Sequence, residues 1–236
     1  MSKNKKINLR NDIITVAKVY RDELAGKCFM YIYGEKYIEI LFKTSNFSHL
    51  TGVVTSLPGK EFYRKAKKGQ LNEGQFYFNN KHPIDLAGKK IGKLDKLPNL
   101  TNEAVFIIED MSTESKIYKI GVSNLDFTLG VMENRDITTN KIINNFLIPV
   151  TFRIRGEKDV DKNPNVYIVD FILMKDNPYN KYDKIYFGSA DKISLLQQNI
   201  LQLIDHKLIE STVSDQDIFI ETIEQVSAVD QDDFNE

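Results

Sequence analysis

Lys27-Cys-Phe-Met-Tyr-Ile-Tyr33 and Tyr37-Ile-Glu-Ile-Leu-Phe42, on either side of Gly34-Glu-Lys36, form the stretch from which the fold is read. Both runs are rich in aromatic and β-branched residues, which suit a pleated, half-buried surface, and the glycine between them supplies a turn. The stretch therefore predicts a β-hairpin that begins the sheet. Upstream, Ile13, Ala17, Tyr20 and Leu24 recur at the spacing of one helical face in a segment without Gly or Pro, which predicts an amphipathic helix over about residues 8–25, ended by Gly26. Downstream, Lys43-Thr-Ser-Asn-Phe-Ser-His-Leu-Thr-Gly52 predicts a short helix, capped by Ser45 or Asn46, that presents His49 before Gly52 breaks it. Further helices are expected over 61–68, around Gln75 and over 83–97, although Gly88 and Gly92 interrupt the last.

From Ala104 onward the pattern changes to short β-rich runs between turn residues, at 104–109, 116–122, 126–132, 149–155, 166–174 and 184–187. Their spacing and polar connectors fit an antiparallel sheet better than strand-helix-strand units. The expected class is α+β, with N-terminal helices and the hairpin packed against a mainly antiparallel sheet. A last helix is expected over 192–203.

The chain of 236 residues is 42% hydrophobic and 28% charged with a mean hydropathy of −0.35, which excludes wholesale disorder and suits one domain with an appendage. No apolar run approaches the roughly 18 residues that span a bilayer, and Met1-Ser-Lys-Asn-Lys-Lys6 leads into no signal-peptide core, so a cytoplasmic protein without a membrane partner is expected. The single Cys28 lies in the first apolar run and reads as core, because no basic neighbour is visible to activate it. Net charge is −1, but residues 205–236 hold ten acids and one base, a charge of −9 that leaves +8 for residues 1–204. The expected organisation is a basic body over 1–204 and an acidic tail over 205–236, in which Phe219, Ile223 and Val226 have helical spacing. A basic body suits a polyanionic partner and an acidic appendage suits self-masking or docking; solubility alone also accounts for both.

The sequence lacks GxxxxGK[ST], GxGxxG, HExxH, paired cysteines and GxSxG, which disfavours nucleotide-fuelled, zinc-dependent and hydrolase-elbow chemistry. No cofactor or metal site is read, and carboxylate-held magnesium stays open. Of three histidines, His206 begins the acidic tail and His82 precedes Pro83 in a polar loop, so both read as surface. His49 sits in a compact polar-aromatic motif. It is either a structural hydrogen-bonder or, since imidazole titrates near neutrality, the best single candidate for a general base or acid.

The hairpin followed by Phe42-Lys-Thr-Ser-Asn-Phe-Ser-His-Leu-Thr-Gly52, then Glu61-Phe-Tyr-Arg-Lys65, then an all-β stretch ending in Tyr182-Asp-Lys-Ile-Tyr186, resembles a family of phage-borne nuclease domains grouped by fold with barnase, EndoU, certain colicins and RelE. The shared part covers roughly residues 12–190, its specific signal is Asn-Phe-x-His-Leu-x-Gly, and the tail has no counterpart. The resemblance implies N-terminal helices against a curved antiparallel sheet and metal-independent cleavage of RNA, whether tRNA or single-stranded. In that reaction a 2′-hydroxyl attacks the adjacent phosphate. His49 would be the base, with Thr51 bonding it or touching phosphate. Arg153 would supply a guanidinium and Lys65 or Lys184 a point charge, Tyr186 or Tyr182 would stack on a base or donate a proton, and Ser189 would contact phosphate. Only His49 is carried by the motif, and a solvated face or strand-edge aromatic accounts equally well for the others. No second histidine is read on the sheet, so the acid falls to Tyr, Lys or none. The alternative is a non-catalytic phage-encoded protein that inhibits a host defence or nucleic-acid-processing system, with the tail as nucleic-acid mimic; a protein partner or antitoxin would fit either. Group transfer from a nucleotide donor is disfavoured because no nucleotide-binding signature is present.

Overall fold

The computed structural model describes residues 3–111, 118, 120–124, 126–154 and 165–210. The first helix, α1 (Lys3–Glu23), starts earlier than its apolar face requires, since nothing in its first turns breaks a helix and Lys5 pairs with Asp85 of a later helix at 2.7 Å. Ile13, Val16, Ala17 and Tyr20 are buried along its inner stripe. The expected hairpin forms as β1 (Cys28–Tyr33) and β2 (Lys36–Leu41), with Gly34 at φ 57° in the turn, a left-handed conformation that glycine adopts without steric cost. Then follow α2 (Phe47–Thr51), β3 (Val54–Thr55), α3 (Gly59–Lys67), β4 (Phe76–Tyr77), α4 (Ile84–Ile91) and α5 (Asn99–Asn102). The helix expected over 83–97 is thus broken: α4 stops at Gly92, and a single 3-10 turn at Leu94–Lys96 separates it from α5.

The remaining strands are β5 (Phe106–Glu109), β6 (Ile120–Ser123), β7 (Phe127–Arg135), β8 (Ile142–Ile154), β9 (Asn165–Ile168), β10 (Phe171–Lys175) and β11 (Lys184–Phe187). After β11, the expected last helix is a 3-10 turn at Ala190–Leu195 followed by α6 (Gln198–Leu201). The nine-stranded sheet has the order β11-β10-β1-β2-β8-β7-β6-β5-β9. All its pairings are antiparallel except β2 with β8, where Ile40 faces Leu147. The class is α+β.

The sheet closes on itself. Only Val169 and Asp170 separate β9, which pairs with β5, from β10, which pairs with β1 at the other end of the order. The Val169 N–H donates to the Val105 carbonyl at 3.1 Å and the Asp170 N–H to the Ile32 carbonyl at 2.8 Å, so the bend is bonded to both neighbours. β11 continues outside this ring.

β1 is buried along its whole length because it faces two cores. Phe29, Tyr31 and Tyr33 join the main core with the helices, while Cys28, Met30 and Ile32 pack against Phe171, Tyr182, Ile193, Ile200 and Ile204 in a second cluster. Alternate side chains of a strand point to opposite faces, so an unbroken apolar run signals two covered faces. Residues 206–210 are helical, and Leu208 and Ile209 pack on the second cluster. Phe219, Ile223 and Val226 lie outside the described residues.

A histidine-lined cleft as candidate active site

α2 is a five-residue helix whose sequence decides where His49 points. At about 100° per residue, Phe47, Leu50 and Thr51 share one side, and His49 falls roughly opposite Phe47. Phe47, Leu50 and Thr51 are fully buried, while His49 is exposed. Phe47 anchors the turn in an aromatic cluster, with ring centroids 5.3 Å from Tyr20, 5.5 Å from Tyr63 and 6.2 Å from Phe62. Burial raises the Tyr20 phenol far above its usual range, so its hydroxyl stays a donor, and it bonds the Lys43 carbonyl at 2.9 Å. Gly52 ends α2 at φ 71°, and a Cβ there would lie 3.1 Å from the Lys90 stem and 3.7 Å from the Ala87 backbone, so glycine also allows α4 to close over the turn.

His49 lines a cleft of about 620 Å³ between α2, the start of α3, β3, the loop before α4 and the β7–β8 hairpin. The same cleft is lined by His82, Lys43 and Arg135, by the hydroxyl residues Ser45, Ser48 and Thr55, and by Ile137, Ile148 and Val150. No Asp or Glu is among its described lining residues. His82 arrives on a tight turn: Asn79 and His82 exchange backbone hydrogen bonds at 3.1 Å, and Asn79 Oδ1 accepts the His82 N–H at 2.9 Å. Pro83, with its φ fixed by the ring, then leads directly into α4, so this exposed loop is nevertheless fixed in backbone geometry.

Lys43 and Arg135, the permanent cations among the described lining residues, differ in their surroundings. Arg135 directs Nε and Nη2 to Glu133 Oε2 at 3.0 and 2.5 Å, and Nη1 to the Asn140 carbonyl at 2.8 Å. Lys43 Nζ donates to the neutral Asn134 Oδ1 at 3.0 Å. Across the hairpin tip, Asp136 Oδ1 accepts from the Thr139 N–H, the Thr139 hydroxyl and the Thr138 N–H, which together hold its carboxyl below the usual carboxylate range.

Of the residues singled out in the sequence, the structure places His49 in this cleft and the others elsewhere. Thr51 is fully buried beneath it, its hydroxyl donating to the Ser48 carbonyl at 2.7 Å. Lys65 is half-buried on α3, and Arg153 lies on β8 away from the cleft lining. Tyr182 is core: its hydroxyl donates to Glu39 Oε1 at 2.7 Å, and Lys175 Nζ sits 4.3 Å from its ring centroid. Lys184 pairs with Asp176 at 2.6 Å, and Tyr186 packs edge-on against Phe29 at 5.4 Å. Ser189 donates to Asp191 and lines a separate depression of about 320 Å³ beside Gly34 and Asp170. β11, which carries Lys184 and Tyr186, lies four places from β8 in the sheet order.

His82, expected on the surface, lines the cleft, and Lys43 and Arg135 join it there without having been candidates from sequence. The available signal was a tight turn, Asn79-Asn-Lys-His-Pro83, holding one of only three histidines in the chain. Among the described residues no group of three His, Cys, Asp or Glu side chains is placed to hold a metal ion, and no helix is long and apolar enough to cross a membrane.

A family model described as phage-Barnase-EndoU-ColicinE5/D-RelE like nuclease4 matches residues 12–191. Comparison with curated proteins and with solved structures gave no significant match.

Proposed function

The chain belongs to the phage-Barnase-EndoU-ColicinE5/D-RelE like nuclease4 family, and from that premise we propose that the His49 cleft cuts RNA by intramolecular attack of a 2′-hydroxyl. The observation that carries this reading is that His49 and His82, on separate elements, open into one cleft whose described lining contains no carboxylate. A transesterifying ribonuclease needs a base, an acid and positive charge around the phosphorane, and with no carboxylate in the described lining the base and acid fall to the two histidines.

In the proposed reaction His49 removes the proton from the 2′-oxygen as the O2′–P bond forms. His82, entering protonated, delivers a proton to the 5′-oxygen as the P–O5′ bond breaks. The products are a 2′,3′-cyclic phosphate and a free 5′-hydroxyl, and the protonation states of the two histidines have exchanged. This arrangement supplies the acid that the sheet lacks. A cleft open to solvent suits tRNA loops or single strands, in which bases are unstacked.

The test is cleavage of labelled tRNA and single-stranded oligonucleotides by the purified chain in the presence of EDTA. His49→Ala and His82→Ala should each lower the rate by about 10²-fold or more, as loss of a general base or acid does. A deoxy substitution at the scissile nucleotide should abolish cleavage. Full activity in either alanine variant would remove that residue from the mechanism, and absence of cleavage in every intact preparation would favour a non-catalytic binding protein.

A further inference from the structure

We infer that Lys43 is the group that grips the scissile phosphate, and that Asn134, which touches no substrate, positions it through a neutral amide relay. The inference rests on the nucleic-acid reading above and assigns its phosphate contact.

Among the described lining residues of the cleft, Lys43 and Arg135 carry permanent positive charge, and the structure separates them. Each guanidinium nitrogen of Arg135 makes one bond, to Glu133 or to the Asn140 carbonyl, so its charge is balanced by a carboxylate and three of its five N–H donors are occupied. Lys43 is paired with no carboxylate among the described residues, and its partner is the amide oxygen of Asn134 at 3.0 Å. An ammonium carries three protons, so two remain for phosphate oxygens.

The direction of the relay is fixed from its far end. The Phe146 backbone N–H, which can only donate, bonds Asn144 Oδ1 at 3.2 Å. The same oxygen accepts from Asn134 Nδ2 at 3.0 Å. With its amino edge committed to Asn144, Asn134 presents its oxygen to Lys43. Asn134 is 2% exposed, so solvent does not compete for that oxygen. The lysine backbone is held as well, its carbonyl accepting the Tyr20 hydroxyl at 2.9 Å and the Asn46 N–H at 3.1 Å.

The chemical identity of residue 134 is the substance of the inference. A carboxylate of nearly the same shape would still accept from Lys43, and would hold it at least as firmly, but would cancel its charge. The amide orients the ammonium and leaves the charge available to an incoming anion.

The experiment uses the full chain and a non-cleavable probe, a 2′-deoxy oligonucleotide, with affinity measured by fluorescence anisotropy over a range of salt and folding checked by thermal melts. Lys43→Gln should weaken binding about tenfold and reduce the salt slope by about one, the signature of one lost phosphate contact. Asn134→Asp should reproduce both effects, Asn134→Ala should do less because the charge survives, and Asn134→Asp combined with Lys43→Gln should match Lys43→Gln alone. On RNA, kcat/KM should follow the same order. If Asn134→Asp fails to fold, the larger loss of salt slope in Lys43→Gln than in Asn134→Ala still decides. Alanine proving as harmful as aspartate, additive effects in the double variant, or no oligonucleotide binding by the wild type would overturn the inference. Histidine-dependent RNA cleavage alongside an additive cycle would leave the nuclease reading standing and remove this one; a cycle that closes without cleavage would do the reverse.

Discussion

Replacing Gly59 by alanine should damage the cleft from beneath. Gly59 begins α3 and lies against the turn that leads into α2; a Cβ built on it would collide with the Ser45 carbonyl oxygen, 3.2 Å from the Ser45 carbonyl carbon and 3.3 Å from Ser48 Oγ. The obstruction is backbone, which has no rotamer with which to yield. Restoring ordinary C···O contact requires the two segments to part by about 1 Å. Overpacking of this kind costs about 1–3 kcal/mol, and the better helix propensity of alanine returns at most about 1 kcal/mol. The net loss, up to about 3 kcal/mol, should lower Tm by up to roughly 12 °C for a domain of this size. Because Ser45 lies four residues before His49, on the 3-10 turn that runs directly into α2, the shift should reach the imidazole, and a displacement near 1 Å costs on the order of 10² in kcat. The control is Gly69→Ala: Gly69 has φ 69° and nothing within 4 Å of its would-be Cβ, so this change should lower Tm through backbone strain alone and spare kcat. Melting curves and initial rates per folded molecule provide the measurement. A Gly59→Ala protein with raised Tm and undiminished kcat would refute the coupling between this contact and the cleft.

Two further outcomes are expected. Since hydrogen bonds from Thr139 and Thr138 lower the folded-state pKa of Asp136, its contribution to the β7–β8 hairpin is present above the unfolded-state value and lost as pH falls through the folded one; amide protection at Thr138 and Thr139, taken relative to the intrinsic exchange rate at each pH, should fall on acidification, and unchanged protection would refute this. Removing residues 205–236, with a charge of −9 against +8 in the body, should tighten RNA binding at low salt and steepen its salt dependence, and superimposable curves from two folded proteins would rule out masking by the tail.

The parts of the fold that sequence made legible are those where local chemistry and tertiary environment agree. The run from Cys28 to Tyr33 is apolar at every position because both faces are covered, and the Gly34 turn follows from the same stretch. β8 was recognisable only from Pro149 onward, because its earlier half contains Asn144 and Asn145 and passes a register shift between Glu133 and Arg135 of its partner. The run at 166–174 read as one strand; the chain is nearly continuous there, but its halves bond to strands at opposite ends of the sheet, and no periodicity reports that. For the site, the motif around His49 located one wall. Lys43 belongs to the same stretch, but convergence of His82 and Arg135 on it depends on how α4 and the β7–β8 hairpin pack, which is long-range information. Tyr182 shows the opposite failure: an aromatic residue among charged ones resembles a strand-edge binding residue, yet its ring is buried and its hydroxyl serves Glu39.

The two-residue bend between β9 and β10 has a consequence for biogenesis. β1 and β5 are both synthesised well before Val169, and until the chain has passed Lys175 each keeps one row of backbone donors and acceptors open. The bend then satisfies both rows in one event. A ribosome that stops short of it releases a product with two exposed edges and no partially closed form to fall back on, so premature termination yields an aggregation-prone fragment rather than a weakened nuclease.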